Sequence, residues 1–239
     1  MPLQHSARPI HLRPAAELAE RVLLPGDPHR ALAVAQALLD GPLMFNHSRG
    51  LWGYTGRAAD GEPLTVQSTG MGGPSAAIVV EELIALGARR LVRIGTCGAL
   101  SPDLALGDLV AAREVLPADG ASAALGAAGM LAADASLTGA LVEAGARPVT
   151  AVSTDLFYDP AAERAGDWLA RGAAVVEMEA AAVLRVADLR GAAAACALAV
   201  TDVPAAEVPA RMEKDELDAL APALGRLGYA ALSAPVRSR

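Results

Sequence analysis

The sequence predicts an α/β fold: a three-layer helix–sheet–helix sandwich around a mixed central sheet. Three observations point there. Short apolar stretches alternate with amphipathic ones along most of the 239 residues, as when helices cover both faces of a sheet. Residues suited to ligand contact cluster just beyond those apolar stretches, at Gly26, Gly70–Gly73, Gly95–Gly98, Glu177–Glu179 and Thr201–Asp202. Open α/β sheets gather ligands at such strand ends. Finally, 23 glycines and 16 prolines punctuate the chain without forming a linker, so residues 1–239 read as one domain.

The elements follow in order. Val22–Leu24 reads as a strand. Asp27 suits the cap of the next helix and Pro28 its first position, where the amide needs no intrahelical partner. That helix runs to about Leu39. "LWGYTG" and "LTVQSTG" read as two further strands. "GMGGPS" opens a helix over Pro74–Leu86, with Ile78, Val79, Leu83 and Leu86 near helical spacing. "RRLVRIG" reads as a short buried strand ending at Gly95, and "DLVAAREV" as another. The alanine- and glycine-rich stretch 118–133 reads as a surface excursion. "RPVTAVST" leads into an ordered loop, "DLFYDP". "AAVVEMEAAAVLRVADLRG" turns from strand to helix near Glu177, and "AAACALAVTDVP" is a strand ending at Thr201 and Asp202. The last helix spans Lys214–Leu232.

Composition removes several classes of function. Hydrophobic residues make up 53% of the chain, but much of this is alanine, and runs such as "AAAACALAV" are too short to span a bilayer. A net charge of -7 disfavours a broad nucleic-acid footprint. Neither a membrane nor a nucleic acid is therefore an expected partner. Cys97 and Cys196 suggest no disulfide framework and no metal motif. "MPLQHSARPI" lacks an apolar targeting segment, so a cytoplasmic location is expected.

The junction "LLPGDPHRA" admits two readings, ordinary helix capping or an anion site. Gly26 permits close approach of a ligand to the backbone, and the following helix presents free amides beside Arg30. "VRIGTCGAL" adds Arg93, a charge inside an apolar strand that needs a partner. That partner is either an anion shared with Thr96 or a structural carboxylate such as Glu81 or Glu82. Gly95 and Gly98 permit a tight bend. No GxxxxGK[ST] motif is present, and GxGxxG is missing at the first strand. A small phosphate fits better than ATP or a dinucleotide. Arg49, in "NHSRGLWGYTG", is either solvated or reaches across an oligomer interface.

These segments, with "VQSTGMGGPSAAIVVEELIALGARRLVRIGTCGAL", "VSTDLFYDP", "VVEMEAAAV" and "AVTDVP", occur together and in order. The chain resembles the purine nucleoside phosphorylase and uridine phosphorylase family of the hexameric type. The resemblance implies inorganic phosphate against Gly26, Arg30, Arg93 and Thr96, with Arg49 lent by a neighbouring subunit. It implies that His11 of a neighbour touches the ribose 5′-hydroxyl, with His5 as rival. Glu179 resembles the glutamate that binds the ribose hydroxyls, Met178 packs beside the sugar, and Glu177 lines this part of the site. Phe157 resembles the residue that packs on the base, while Cys97 and Gly98 shape its pocket. Without the resemblance, Met178 reads as core, the glutamates as a helix N-terminal cluster, and Asp202 as a turn cap.

The resemblance also separates purine from pyrimidine. Uridine enzymes read uracil with a glutamine and an arginine after the "FY" pair, whereas Ala161 and Glu163 stand there, with Arg164 one step away. Asp202 resembles the purine enzymes' acid facing N7, and Arg211 is a candidate for the helper arginine. The implied activity is that of a pentosyltransferase: reversible phosphorolysis of a purine nucleoside, without a cofactor. Asp202, Arg93 and Glu179 carry the chemistry. A homo-oligomer with shared sites is implied, a hexamer built as a trimer of dimers. A uridine phosphorylase, or a non-catalytic nucleoside- or phosphate-binding protein, is the rival reading. A nucleosidase-like hydrolase fits less well with three arginines suited to phosphate.

Overall fold

A computed structural model describes residues 9–161, 163–203 and 210–235. In chain order the elements are β1 (Arg21–Pro25), α1 (Pro28–Leu38), β2 (Asp40–Asn46), β3 (Gly53–Arg57), β4 (Pro63–Gln67), α2 (Gly73–Leu86), β5 (Arg90–Ala99) and β6 (Leu109–Ala118). There follow α3 (Gly120–Ala124), β7 (Leu131–Ala132), α4 (Ala135–Glu143), β8 (Arg147–Thr154), α5 (Arg164–Ala170), β9 (Val175–Glu177), α6 (Ala180–Arg190), β10 (Ala193–Val203), β11 (Ala210–Arg211) and α7 (Lys214–Ser233).

The strands form one mixed sheet. β1 runs parallel to β4 on one side and to β5 on the other. β5 pairs in turn with both β10 and β9. The pairings β10–β6, β6–β8 and β8–β9 complete a circuit. Five strands therefore close a ring, and β1, β4, β3 and β2 extend from it as a wing. Long-range pairing of this kind leaves no local mark on the chain.

The buried strands have two apolar faces, which accounts for their continuous apolar runs. Along β10, Ala194, Cys196, Leu198 and Val200 enter one cluster with residues of α2 and α6. The intervening Ala195, Ala197 and Ala199 enter another with residues of α1, α4 and α7. Alternation with period two requires this division. The alanine richness has a packing reason. A Cβ added at Gly228 of α7 would lie 2.7 Å from Leu23 Cδ2 and 2.8 Å from Ile94 Cγ2. Small residues on both sides let α7 seat directly on the strands.

Two expectations are corrected. β5 continues to Ala99 rather than ending at Gly95, because β10 pairs with it as far as Gly98. Gly95 supplies room rather than a bend: a Cβ there would lie 2.9 Å from Arg93 Nη2. The stretch 118–133 lies mostly at the surface, as expected, and is anchored by buried Asp119 and Ser122 around the start of α3 and by the pairing of β7 with β6. The sequence reading also omitted β2, α4 and α5. The α4 signal is visible in retrospect: Asp134 accepts from the Ser136 and Leu137 amides, and Leu137 and Leu141 bury one turn apart. Among the described residues, no helix is long and apolar enough to cross a membrane.

Candidate functional site

A cavity of about 780 Å³ is lined by residues at the carboxyl ends of β1, β5, β9 and β10 and in the loop after β8. Of the described residues to which the resemblance gives a role, all but His11 and Arg49 line it, whereas Gly72, Gly73 and Thr201 of the strand-end clusters do not.

The β1–α1 junction of "LLPGDPHRA" is a helix cap that also borders the cavity. Asp27 caps α1 by accepting from the Arg30 amide at 2.7 Å. Gly26 leaves room for a close crossing, since a Cβ there would meet the Gly70 carbonyl at 3.3 Å. Arg30 also lines the cavity, and its guanidinium makes no ion pair among the described residues. Burial lowers its pKa from the ordinary arginine value, against the opposing pull of Asp27, and Arg93 lowers it further. Such a desolvated, unpaired cation is suited to an anion.

Arg93 is 3% exposed. Neither Glu81 nor Glu82 pairs with it: Glu81 binds Arg190, and Glu82 binds residues 10–12. Instead Arg93 Nε donates to Glu177 Oε2 at 2.8 Å, and Nη2 donates to Glu179 Oε2. Burial disfavours its charge, but Glu179 and Glu177 outweigh burial and raise its pKa above the ordinary value. Nη1 is buried without a hydrogen-bond partner. Thr96 lies on the same strand, also on the cavity wall.

Glu179 reaches the cavity from the start of α6. Its Oε1 accepts from the Gly72 amide at 2.6 Å. Gly72 has φ +90, a conformation that favours glycine, so the "GMGGPS" turn places that amide. Burial raises the pKa of Glu179, opposed by Arg93 and reinforced by Glu177. The sequence reading recognised this turn but not its part in holding Glu179.

Asp202 stands at the end of β10. Thr201 Oγ1 donates to its Oδ2 at 2.9 Å, and Arg211 Nε pairs with its Oδ1. The antiparallel bridge between β10 and β11 sets Arg211 opposite Asp202. The Arg211 guanidinium lies 5.2 Å from the centroid of the exposed Phe157 ring. Met71, Leu156 and Val176 add apolar wall that the sequence reading missed. Arg164 pairs with Asp159 at 3.0 Å, and neither it nor Ala161 nor Glu163 lines the cavity.

His11 lies outside this cavity, with Nδ1 2.7 Å from Glu82 Oε1. Arg49 is exposed in a short turn with φ 60, the left-handed conformation. Asn46 braces that turn by donating to the Leu51 carbonyl at 2.5 Å. Holding a residue other than glycine in this way stores about 1–2 kcal/mol of strain. His5 lies outside the described residues. No cluster suited to a metal ion occurs among the described residues.

A profile of the phosphorylase superfamily matches residues 20–233. The chain is 38% identical over 197 residues to a "Purine nucleoside phosphorylase DeoD-type" of Geobacillus kaustophilus (strain HTA426), covering 78% of this chain and 82% of that protein. A protein of the same description from Caldanaerobacter subterraneus subsp. tengcongensis is 39% identical over 196 residues, covering 78% and 84%. One from Clostridium beijerinckii is 36% identical over 203 residues, covering 81% and 85%.

Proposed function

The chain belongs to the phosphorylase superfamily, and from that premise we propose that it is a purine nucleoside phosphorylase. It cleaves purine ribo- or deoxyribonucleosides with inorganic phosphate, giving free purine and pentose 1-phosphate. The observation that carries this reading is one cavity containing an unpaired Arg30, a buried Arg93, a carboxylate at Glu179 and an acid at Asp202.

Each group has a physical task. Arg30, Arg93, Thr96 and the backbone at Gly26 hold phosphate below the sugar C1′. Glu179 accepts from the sugar hydroxyls. The C1′–N9 bond lengthens first, and phosphate stabilises the positive charge growing on the sugar before bonding to C1′. Protonated Asp202 donates to N7 as the purine leaves. Arg211 pairs with the same carboxylate and holds it in place. Phe157 offers a face to the base, and Met178, Cys97 and Gly98 shape the surrounding wall. The absence of the uracil-reading pair at Ala161 and Glu163 favours purines.

Charge balance supports a shared site. Within the cavity Arg30 and Arg93 face Glu177 and Glu179, so a phosphate dianion calls for a further cation. Arg49, on an exposed strained turn outside its own cavity, supplies it to a neighbouring subunit, and His11 reaches that neighbour's sugar. The assembly is a hexamer, a trimer of dimers. Each chain is one domain, a three-layer sandwich with α1, α4 and α7 on one face and α2, α3 and α6 on the other. It works in the cytoplasm and needs no cofactor.

The test is a panel of adenosine, inosine, guanosine and uridine, each with and without phosphate, with released base separated by chromatography. Phosphate-dependent purine release is expected. Turnover of uridine alone, release independent of phosphate, or binding without turnover would each overturn the assignment.

A further inference from the structure

Glu177 has both carboxylate oxygens engaged by protein groups. Oε2 accepts from Arg93 Nε at 2.8 Å and from the amides of Glu179 and Ala180 at 2.9 Å each. Oε1 accepts from the Ala180 amide at 3.0 Å and from the Ser153 hydroxyl. Ser153 is fully buried, and its oxygen accepts in turn from the Ala181 amide at 2.9 Å. Parallel pairing of β8 with β9 sets Ser153 beside Glu177 in register.

The arrangement separates capping from binding. A helix needs acceptors for its first amides, and its N-cap side chain usually supplies one. The N-cap of α6 is Glu179, which makes no capping bond. Glu177 and Ser153 take the first amides instead, while Glu179 contacts the Gly72 amide and Arg93 on the cavity wall. Glu177 meanwhile holds one edge of the planar Arg93 guanidinium, whose rigid fork must be oriented to meet an oxyanion. We propose that Ser153 is a positioning residue for phosphate: by locking Glu177 between its hydroxyl and the start of α6, it sets the plane of Arg93. Glu177 then acts through Arg93 rather than by touching the nucleoside. This inference rests on the phosphorolysis reading above.

The test is steady-state kinetics with phosphate and inosine varied separately, together with calorimetric titration of inorganic phosphate. Ser153→Ala is expected to raise phosphate KM and Kd about tenfold, the scale of a lost buried hydrogen bond to a charged group. The KM for inosine should change by no more than about threefold, because the groups facing the sugar and base remain. Ser153→Thr, which keeps the hydroxyl, should restore most phosphate affinity. If Ser153→Ala does not fold, Ser153→Cys keeps the size with a weaker donor and should show the same selective direction. Unchanged phosphate KM and Kd in a folded variant would sink the proposal. So would equal rises for both substrates without rescue by threonine, which indicate general loosening. Wild-type base release independent of phosphate, or no phosphate binding by the wild type, removes the phosphorolysis reading and this proposal together. Normal wild-type phosphate dependence with unaltered variants removes the proposal alone.

Discussion

Asp202 and Arg211 stand opposite one another where β11 runs antiparallel to β10, and their side chains form an ion pair. Thr201 donates to the other carboxylate oxygen, so the acid is held from two sides. Asp202→Asn should lower kcat for inosine by about 10²–10⁴-fold, the usual range for a positioned acid, and Arg211→Ala by about tenfold. 7-Methylinosine already carries positive charge on its imidazole ring and needs no proton to leave. Both variants should cleave it at near wild-type rates. Equal losses on the two nucleosides would remove Asp202 from proton donation.

Arg30 illustrates a conflict between stability and binding. Its charge is desolvated by burial and has no ion-pair partner among the described residues. Arg30→Met retains much of the side-chain volume and removes that charge. Phosphate KM should rise roughly 10–100-fold, from losing about 1.5–3 kcal/mol of charged hydrogen bonding. Thermal stability without phosphate should hold or increase. A lower melting temperature with unchanged phosphate KM would make Arg30 a structural residue.

How much of this was legible in the chain depended on how local the cause is. Asp27 and Pro28 mark the start of α1, and the apolar run of β10 declares a strand buried on both faces. Most of the candidate site was legible too, because each cluster sits at the end of a recognisable strand. The true extent of β5 was not, because Gly95 reads as a break until Arg93 is seen folding back over it. The partners of Arg93 were also hidden. Glu177 is 84 residues away in sequence, and only the ring formed by β5, β9 and β8 brings it close. Gly139 and the surrounding alanines obscured α4, whose cap alone signalled it.

Glu82 secures the segment before β1. Its carboxylate accepts from the amides of Ile10 at 3.0 Å, His11 at 2.9 Å and Leu12 at 2.7 Å, and it also holds the His11 ring. Glu82→Ala leaves these donors without that acceptor and should destabilise the chain by about 1–3 kcal/mol. Faster hydrogen exchange at residues 10–12 would report the loosening. If His11 serves a neighbouring sugar, nucleoside KM should rise while phosphate KM stays. No change in nucleoside KM would leave Glu82 and His11 as purely structural.

Asp60 gives a pH signature. Arg21 donates to both of its oxygens, at 2.6 and 3.1 Å, and this hydrogen bonding lowers its pKa to about 2. Because the folded-state value lies below the ordinary carboxylate value, the native state holds fewer protons in this range. The stabilisation is present above about pH 4 and is lost as pH falls toward 2. Solvent exposure limits it to about 1 kcal/mol or less. Urea midpoints should show Asp60→Asn weaker than wild type at pH 6 and converging with it near pH 2. A constant gap across that range would mean the carboxylate charge has no part in stability.

Two glycines in helices predict opposite outcomes. Gly228 of α7 faces Leu23 and Ile94, and an added Cβ would sit 2.7 and 2.8 Å from their side-chain carbons. Leu23 and Ile94 are fully buried and have little room to shift. Gly228→Ala therefore sets an overpacking penalty of about 1–3 kcal/mol against a helix-propensity gain of about 1 kcal/mol. Net destabilisation is expected, with a melting temperature lower by about 2–4 °C for each kcal/mol. Gly139 of α4 is exposed, and an added Cβ would meet nothing within 4 Å. Gly139→Ala keeps only the propensity gain and should raise the melting temperature by a similar increment. If both variants were stabilised, the close seating of α7 on β1 and β5 would not be what excludes a side chain at residue 228.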